Sequence, residues 1–156
     1  MTDERQRAVD LAYRALAYRE RTVVELRTYL EGKRVEPDAI EHAIEDLTAA
    51  GFLDDARFAE RFAADKRSLS QWGRERIEQD LRRRGVSEPT VEEVVGSLHR
   101  DDELTTALAL LADKVPVPPT DDRGRDRAWR MLVRKGYEPE LAYDAVRAHG
   151  RRSRAA

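Results

Sequence analysis

The feature that most constrains the fold of this chain is a pattern that returns every 51 residues. In each occurrence two apolar residues lie four positions apart, and a third hydrophobic residue follows the second of them by five. The successive sets are Leu26, Leu30 and Val35, then Ile77, Leu81 and Val86, then Ala128, Leu132 and Tyr137. A fixed period of this length is typical of tandem structural repeats. We therefore predict three copies of one unit.

The spacing within each copy predicts helices. Apolar residues recur at intervals of three and four, as one face of an α-helix requires, and no segment alternates as a half-buried strand does. Thr22 and Glu25 have the spacing of a capping box at the start of a helix. We predict an all-α protein of three tandem three-helix repeats, stacked into an elongated, curved array. The predicted ranges are 1–53, 54–100 and 101–150, followed by a basic tail at 151–156.

The first two copies meet in the stretch from Gly51 to Phe62. Gly51 suits the left-handed conformation that closes a helix, and Asp54 suits the N-cap of the next helix. Phe58 and Phe62 then lie four apart on one helical stripe. We interpret that stripe as part of the hydrophobic core rather than as a pocket.

Each copy has a turn after its second helix, and two of these turns contain glycine. Gly85 and Gly136 are predicted to take positive φ, whereas the first copy has Arg34 at the equivalent position. We therefore expect the turn of the first copy to be built differently.

Few residues in the chain suit catalysis. The absence of cysteine excludes disulfides, zinc–thiolate sites and thiol nucleophiles. The three histidines are far apart in sequence and are expected at the surface or at helix ends: His42, His99 and His149. The acidic pairs Asp54–Asp55 and Asp101–Asp102 could in principle bind a divalent metal, as in a nuclease, but we expect helix N-caps there. We predict no catalytic residue, no metal and no cofactor, and hence no enzyme.

Positive charge is concentrated toward the end of the chain and in the repeated turns. Residues 123–156 contain ten Lys and Arg against four Asp and Glu, a net charge of +6. Cations at the C-terminus of a helix can simply complement its dipole, but a repeated row of them could also contact phosphates or acidic side chains. On the second interpretation the partner-binding residues are Arg82, Arg83, Arg84, Arg130, Arg134 and Lys135.

The chain carries no signal for a membrane or for export. No apolar run approaches the roughly 20 residues of a membrane span, and the start Met-Thr-Asp-Glu-Arg-Gln-Arg does not have the pattern of a signal peptide. We expect a soluble, cytoplasmic protein that is a monomer and does not bind membranes.

Several segments together resemble the RecX family of recombination regulators. They are Arg21-Thr-Val-Val-Glu-Leu26, Gly51-Phe-Leu-Asp-Asp-Ala-Arg-Phe-Ala59, the spacing Gly73, Ile77, Leu81, Gly85-Val86, and Arg134-Lys-Gly-Tyr137. The resemblance covers residues 8–148. It implies three tandem three-helix repeats and a regulatory protein without catalytic residues, and it does not define which residues contact the partner.

The resemblance also implies a partner. RecX proteins bind the RecA recombinase, usually as a filament on single-stranded DNA, and they restrain filament growth, ATP hydrolysis, strand exchange and co-protease activity. The resemblance therefore implies a role in DNA repair, recombination and the SOS response. The alternative is a helical-repeat protein that acts directly on DNA, because three-helix units with a basic helix can imitate helix-turn-helix modules. An isoelectric point near 6.0 argues against strong independent DNA binding and leaves at most a weak direct contact.

Overall fold

The structure, a computed structural model, describes the backbone of residues 2–155 and the side chains of residues 3–152. Within that range it contains nine α-helices and no strand, which confirms the all-α prediction. The helices are α1 (Thr2–Tyr18), α2 (Val23–Gly32), α3 (Pro37–Ala49), α4 (Asp55–Ser70), α5 (Arg74–Arg83), α6 (Glu88–Gly96), α7 (Arg100–Lys114), α8 (Asp122–Arg134) and α9 (Pro139–Ala155). The backbone of the predicted basic tail continues α9 as far as Ala155, and the side chains of residues 153–156 lie outside the described part.

The chain divides into two compact units. Unit 1 runs from the start of the chain to Arg61 and includes Leu81–Val91. Unit 2 comprises Phe62–Asp80 and the chain from Glu92 onward. The boundaries between the two units lie inside α4, α5 and α6, so they do not coincide with the predicted repeats. The organisation of the chain as three repeats therefore stays a prediction.

In unit 1, α1 packs against α2 and α3. The buried core consists of alanines from α1 and of aliphatic residues from α2, α3 and the following turns: Ala8, Ala12, Ala15, Leu26, Leu30, Val35, Ala39, Ile40, Ala43, Ile44, Leu47 and Leu53. The capping box at the start of α2 is confirmed. The Glu25 N–H donates to the Thr22 hydroxyl at 3.1 Å, and the Thr22 N–H donates to the Glu25 carboxylate at 3.0 Å. Two backbone donors at the start of α2 are thereby satisfied.

In unit 2, α9 packs against both α7 and α8. Tyr137 is the largest fully buried side chain in this core, which also contains Ala107, Leu108, Leu110, Leu111, Ala128, Leu132, Leu141, Ala142, Ala145 and Val146. Burial raises the pKa of the Tyr137 hydroxyl, which therefore stays protonated and donates to the carbonyl of Gln71 at 2.7 Å. Gln71 has a φ of +55°, so the buried hydroxyl binds a residue in a strained conformation.

The aromatic stripe of α4 lies in the core, as predicted. Phe58 and Phe62 are only 4% and 8% exposed. At the turn before α4, Gly51 has a φ of +82°, and the Asp54 carboxylate accepts a hydrogen bond from the N–H of Arg57 at 3.0 Å. Gly51 therefore ends α3 in the left-handed conformation, and Asp54 is the N-cap of α4, as the sequence indicated.

The repeated turns share one backbone conformation. Gly85 and Gly136 have φ values of +88° and +102°, and Arg34 has a φ of +60°. The expectation that the first turn is built differently was therefore wrong for the backbone. What differs is the space around the residue, because a Cβ at Gly85 would lie 2.5 Å from the Cβ of Val24, and one at Gly136 would lie 2.6 Å from the backbone nitrogen of Arg76. Arg34 is exposed, so its position has room for a side chain.

Candidate partner-binding surface

The arginines at the end of α5 are largely on the surface. Arg82 is exposed and forms two hydrogen bonds with the Glu88 carboxylate, at 2.5 and 3.1 Å. Arg83 is also exposed. Exposed ion pairs contribute little to stability and exchange readily for other partners. Arg82 and Arg83 are therefore accessible to an anionic surface.

Arg84, in contrast, is half-buried and helps to hold α2 in place. Its guanidinium donates to both oxygens of Glu25, at 3.1 and 3.2 Å, and lies 4.5 Å from the centre of the Phe58 ring. Its carbonyl accepts a hydrogen bond from the Thr22 hydroxyl at 2.7 Å. These contacts give Arg84 a structural role inside unit 1, and a role in partner binding stays a prediction.

Two carboxylates at the start of α2 respond in opposite ways to these surroundings. Burial acts to raise the pKa of Glu25, but the hydrogen bonds from Arg84 and Thr22 and the charges of Arg84 and Arg19 outweigh it and hold the pKa below its ordinary value of 4.5. Asp55 accepts a hydrogen bond from the N–H of Val23 at 2.9 Å. Burial nevertheless raises the pKa of Asp55 above its ordinary value of 3.8. Glu25 is thus stabilised as a charged group, whereas Asp55 is not.

Unit 2 contains a comparable arrangement at the start of α5. The carbonyls of Lys135 and Gly136 accept hydrogen bonds from the N–H groups of Gly73 and Glu75, at 2.8 and 3.0 Å. Lys135 is half-buried, and its ammonium donates to the carbonyl of Ser70 at 3.3 Å. The turn after α8 therefore satisfies backbone groups before α5, and Lys135, like Arg84, has a structural role.

Glu103 of α7 completes that arrangement. Its side chain is 2% exposed, forms an ion pair with Arg67 and accepts a hydrogen bond from the N–H of Arg74 at 3.1 Å. Glu103 thus caps α5 from another helix, just as Asp55 caps α2. Sequence reasoning missed both caps, because the acid and the helix that it caps are separated by about 30 residues.

The other acidic and histidine predictions have mixed outcomes. Asp101 and Asp102 lie in the first turn of α7, whose N-cap is His99, so their assignment as N-caps was wrong. His149 is buried in α9 with its Nε2 2.6 Å from the Val115 carbonyl, so the expectation of a surface or helix-end position was wrong for this residue. Among the described side chains, no three His, Asp or Glu residues come together as a metal site would require.

Arg130 and Arg134 belong to a larger set on α8. Arg123, Arg127, Arg130 and Arg134 follow one another at intervals of four, three and four, and all four are exposed. That spacing places them on one side of the helix, opposite the buried Leu132. We call these four residues the α8 arginine stripe. Arg130 pairs with Asp126 at 2.9 Å. The spacing alone could have identified Arg123 and Arg127, which the predicted set omitted.

Two open grooves flank α8. One lies against α9, has a volume of about 800 Å³ and is lined by Trp129, Tyr143 and Arg147 among others. The other has a volume of about 590 Å³ and lies between the α8 arginine stripe and the proline-rich segment before the helix. No helix in residues 2–155 combines the length and the apolar character needed to cross a membrane.

Comparison with known proteins identifies relatives along most of the chain. The family model of the first three-helix domain of RecX matches residues 8–47, and that of the second three-helix domain matches residues 54–95. The regulatory protein RecX of Mycolicibacterium vanbaalenii is 33% identical over 94% of this chain and 84% of its own length. That of Halalkalibacterium halodurans is 34% identical over 92% of this chain, which spans only 54% of that relative.

Solved structures show the same fold. The crystal structure of RecX from Lactobacillus salivarius superposes with a TM-score of 0.84 at 18% identity, covering 96% of this chain and 99% of the other. A second crystal structure of a regulatory protein RecX gives a TM-score of 0.79 at 19% identity, over 94% of this chain and 73% of the other.

Proposed function

Since this chain belongs to the RecX family of regulatory proteins, we propose that it binds the RecA recombinase, chiefly as a filament on single-stranded DNA. In this proposal it acts in the cytoplasm as a monomer and restrains filament growth, ATP hydrolysis, strand exchange and co-protease activity. The observation that supports the proposal best is the set of exposed arginines at helix ends and along α8. A binding protein of this kind acts by occupying a surface, so it needs no catalytic group.

The exposed cations contribute unequally in this proposal. Arg82, Arg83, Arg130 and Arg134 are exposed, whereas Arg84 and Lys135 are half-buried and donate hydrogen bonds to segments about 60 residues away in sequence. Contacts carried on one chain reinforce one another, because the first contact raises the effective concentration of the second. Several weak arginine contacts can therefore give tight binding to a repetitive filament.

Charge reversal tests this proposal. Arg82→Glu with Arg83→Glu should weaken inhibition of the RecA ATPase by about threefold, and the addition of Arg134→Glu should weaken it by more than about tenfold, since linked contacts are lost together. The salt dependence of binding should flatten at the same time. Helicity and melting temperature should be retained, because these side chains are exposed.

Arg5→Glu with Arg14→Glu on α1 is a suitable control for this series. Both residues are exposed arginines, and neither belongs to the proposed surface. If the triple variant inhibits RecA as well as the parent does at matched salt, the cations serve only their own helices and this contact surface is incorrect.

Direct DNA binding is the second candidate, and the α8 arginine stripe is the observation that favours it. Arginine side chains on one helix face can contact successive phosphates. Titration of the chain with bare single-stranded DNA, with RecA alone and with RecA filaments separates the two functions. Binding to bare DNA as tight as binding to the filament would favour the second.

A further inference from the structure

We propose that the α8 arginine stripe, together with the groove between it and the proline-rich segment before α8, forms a docking site for an acidic protein segment. This segment would also carry aliphatic side chains. The inference deepens the proposed function and rests on it in one respect, because it assigns a surface of this chain to the partner protein rather than to DNA.

The first argument comes from the equivalent faces of α2 and α5. Glu25, Arg76 and Arg127 occupy the same position of the 51-residue pattern. In unit 1, Glu25 is covered by Arg84 from the turn after α5. In unit 2, Arg76 is covered by Gly136 from the turn after α8, so closely that a Cβ on the glycine would overlap it. This helix face is thus a docking face in both units.

On α8 the same face is open. The segment before the helix reaches Gly124, where a Cβ would lie 2.8 Å from the Cβ of Pro119, but Arg127 one turn further on is exposed. Arg123, Arg127 and Arg134 form no ion pair within the described side chains. A face that receives another element in α2 and α5 is therefore available on α8 to a partner.

The charge of this face determines what it can accept. With a rise of about 1.5 Å per residue, the four arginines extend over about 16 Å of one helix side. Like charges three and four residues apart destabilise a helix, and a cation in the first turn opposes the helix dipole. Helix stability therefore accounts for Arg134 at the C-terminus and for Arg130, which pairs with Asp126 one turn earlier. It does not account for Arg123 and Arg127. An acidic partner would neutralise the row.

The groove distinguishes between classes of acidic partner. Its lining includes Val115, Val117, Pro118, Pro119 and Met131, with Arg127 and Arg134 beside them, and contains no aromatic residue. Val117 is 80% exposed. Sites for single-stranded nucleic acid usually stack bases on aromatic rings, whereas aliphatic side chains fit an aliphatic groove. The lining therefore favours a protein segment over a nucleic-acid strand.

A second copy of this chain does not fit as well. The turn after α2 contains the exposed Lys33 and Arg34, and it is the turn that would approach α8 in a head-to-tail arrangement of repeats. In unit 1 the corresponding contact joins unlike charges, Arg84 and Glu25. Against Arg127 the contact would join like charges, and such repulsion selects against self-association.

Binding of two labelled polymers tests the site without knowledge of the natural segment. The probes are a random copolymer of glutamate and leucine, and an oligo-dT of matched charge, each followed by fluorescence anisotropy. The parent should bind the copolymer more tightly than the oligo-dT. Arg123→Glu with Arg127→Glu should weaken copolymer binding at least about tenfold and reduce its salt dependence. Val117→Ser should weaken it severalfold, and Arg5→Glu with Arg14→Glu should leave it within about twofold of the parent.

Each other outcome overturns the inference. Selective loss of oligo-dT binding in the stripe variant would assign the face to nucleic acid, equal loss of both probes would show a non-selective polyanion surface, and loss of neither would show that nothing docks there. Circular dichroism checks that the variants are folded. RecA ATPase measurements on the same proteins separate the two proposals: a parent that binds the copolymer but leaves RecA unaffected contradicts only the proposed function, whereas an inhibitory parent whose stripe variant still binds the copolymer contradicts only the docking site.

Discussion

Phe62 of α4 lies almost fully buried, with the centre of its ring 6.2 Å from that of Trp72 and the two planes at 70°. At the scale of single residues it offers a direct test of the core. Phe62→Ala should lower the free energy of unfolding by about 3–5 kcal/mol, because it removes a buried ring and leaves a cavity. Urea titration followed by circular dichroism measures the change.

Phe52→Ala is the matched control for that substitution. Phe52 is 55% exposed and forms a T-shaped pair with the Tyr13 ring, at 5.2 Å between centroids. We expect a cost of about 1 kcal/mol or less from the loss of one exposed aromatic pair. Equal effects of the two substitutions would contradict the burial assigned to Phe62.

At the scale of elements, the turns after α3 and α8 contain glycine for different reasons. One requires only a positive φ, and the other also requires close packing against a neighbouring helix. Gly51 and Gly136 both have positive φ, but a Cβ on Gly51 would meet nothing within 4 Å, whereas one on Gly136 would meet the backbone of Arg76 at 2.6 Å. Gly51→Ala should cost about 1–2 kcal/mol from backbone strain alone. Gly136→Ala should cost about 1–3 kcal/mol more, because α5 must shift to admit the methyl group.

Arg34→Gly tests the same explanation in the opposite direction. Arg34 already has a φ of +60° and is exposed, so glycine would relieve strain without creating a clash. The greater freedom of glycine in the unfolded chain partly offsets that gain. We expect a change within about 1 kcal/mol of zero in urea unfolding. A large loss would mean that the Arg34 side chain itself stabilises the turn.

At the scale of the whole molecule, the two carboxylates at the start of α2 give opposite contributions to stability as pH changes. The pKa of Glu25 is lowered by folding, so its contribution is present above its ordinary pKa of 4.5 and is lost as pH falls through the folded value. The pKa of Asp55 is raised, so its contribution is present below its ordinary pKa of 3.8 and is lost as pH rises through the folded value.

Neutral variants of similar shape test both pH dependences. The melting temperatures of the variants and the parent are measured from pH 3 to pH 7. Glu25→Gln should be less stable than the parent at pH 7, by about 1–2 kcal/mol for the lost charged hydrogen bonds, and should approach the parent at pH 3. Asp55→Asn keeps an acceptor for the N–H of Val23, and its stability relative to the parent should rise as pH increases. A pH-independent difference in either variant would contradict the assigned pKa direction.

The sequence by itself determined the helices, the 51-residue period, the capping box at Thr22, the left-handed turns at Gly85 and Gly136 and the buried stripe of Phe58 and Phe62. These features depend on residues a few positions apart, and local backbone and side-chain chemistry decides them. The sequence also indicated the family, through motifs distributed over most of the chain.

Only the tertiary structure decided which charged residues are held against distant parts of the chain and which are exposed. Arg84 and Arg83 are neighbours in the same basic run, yet Arg84 binds Glu25, 59 residues away, while Arg83 is exposed. Lys135 and Arg134 differ in the same way, because Lys135 binds the carbonyl of Ser70 while Arg134 is exposed. Asp55 and Glu103 likewise cap helices that begin about 30 residues away in sequence. The sequence shows the charge of a side chain and its position on a helix. Which partners the side chain can reach depends on the segments that tertiary packing brings next to it.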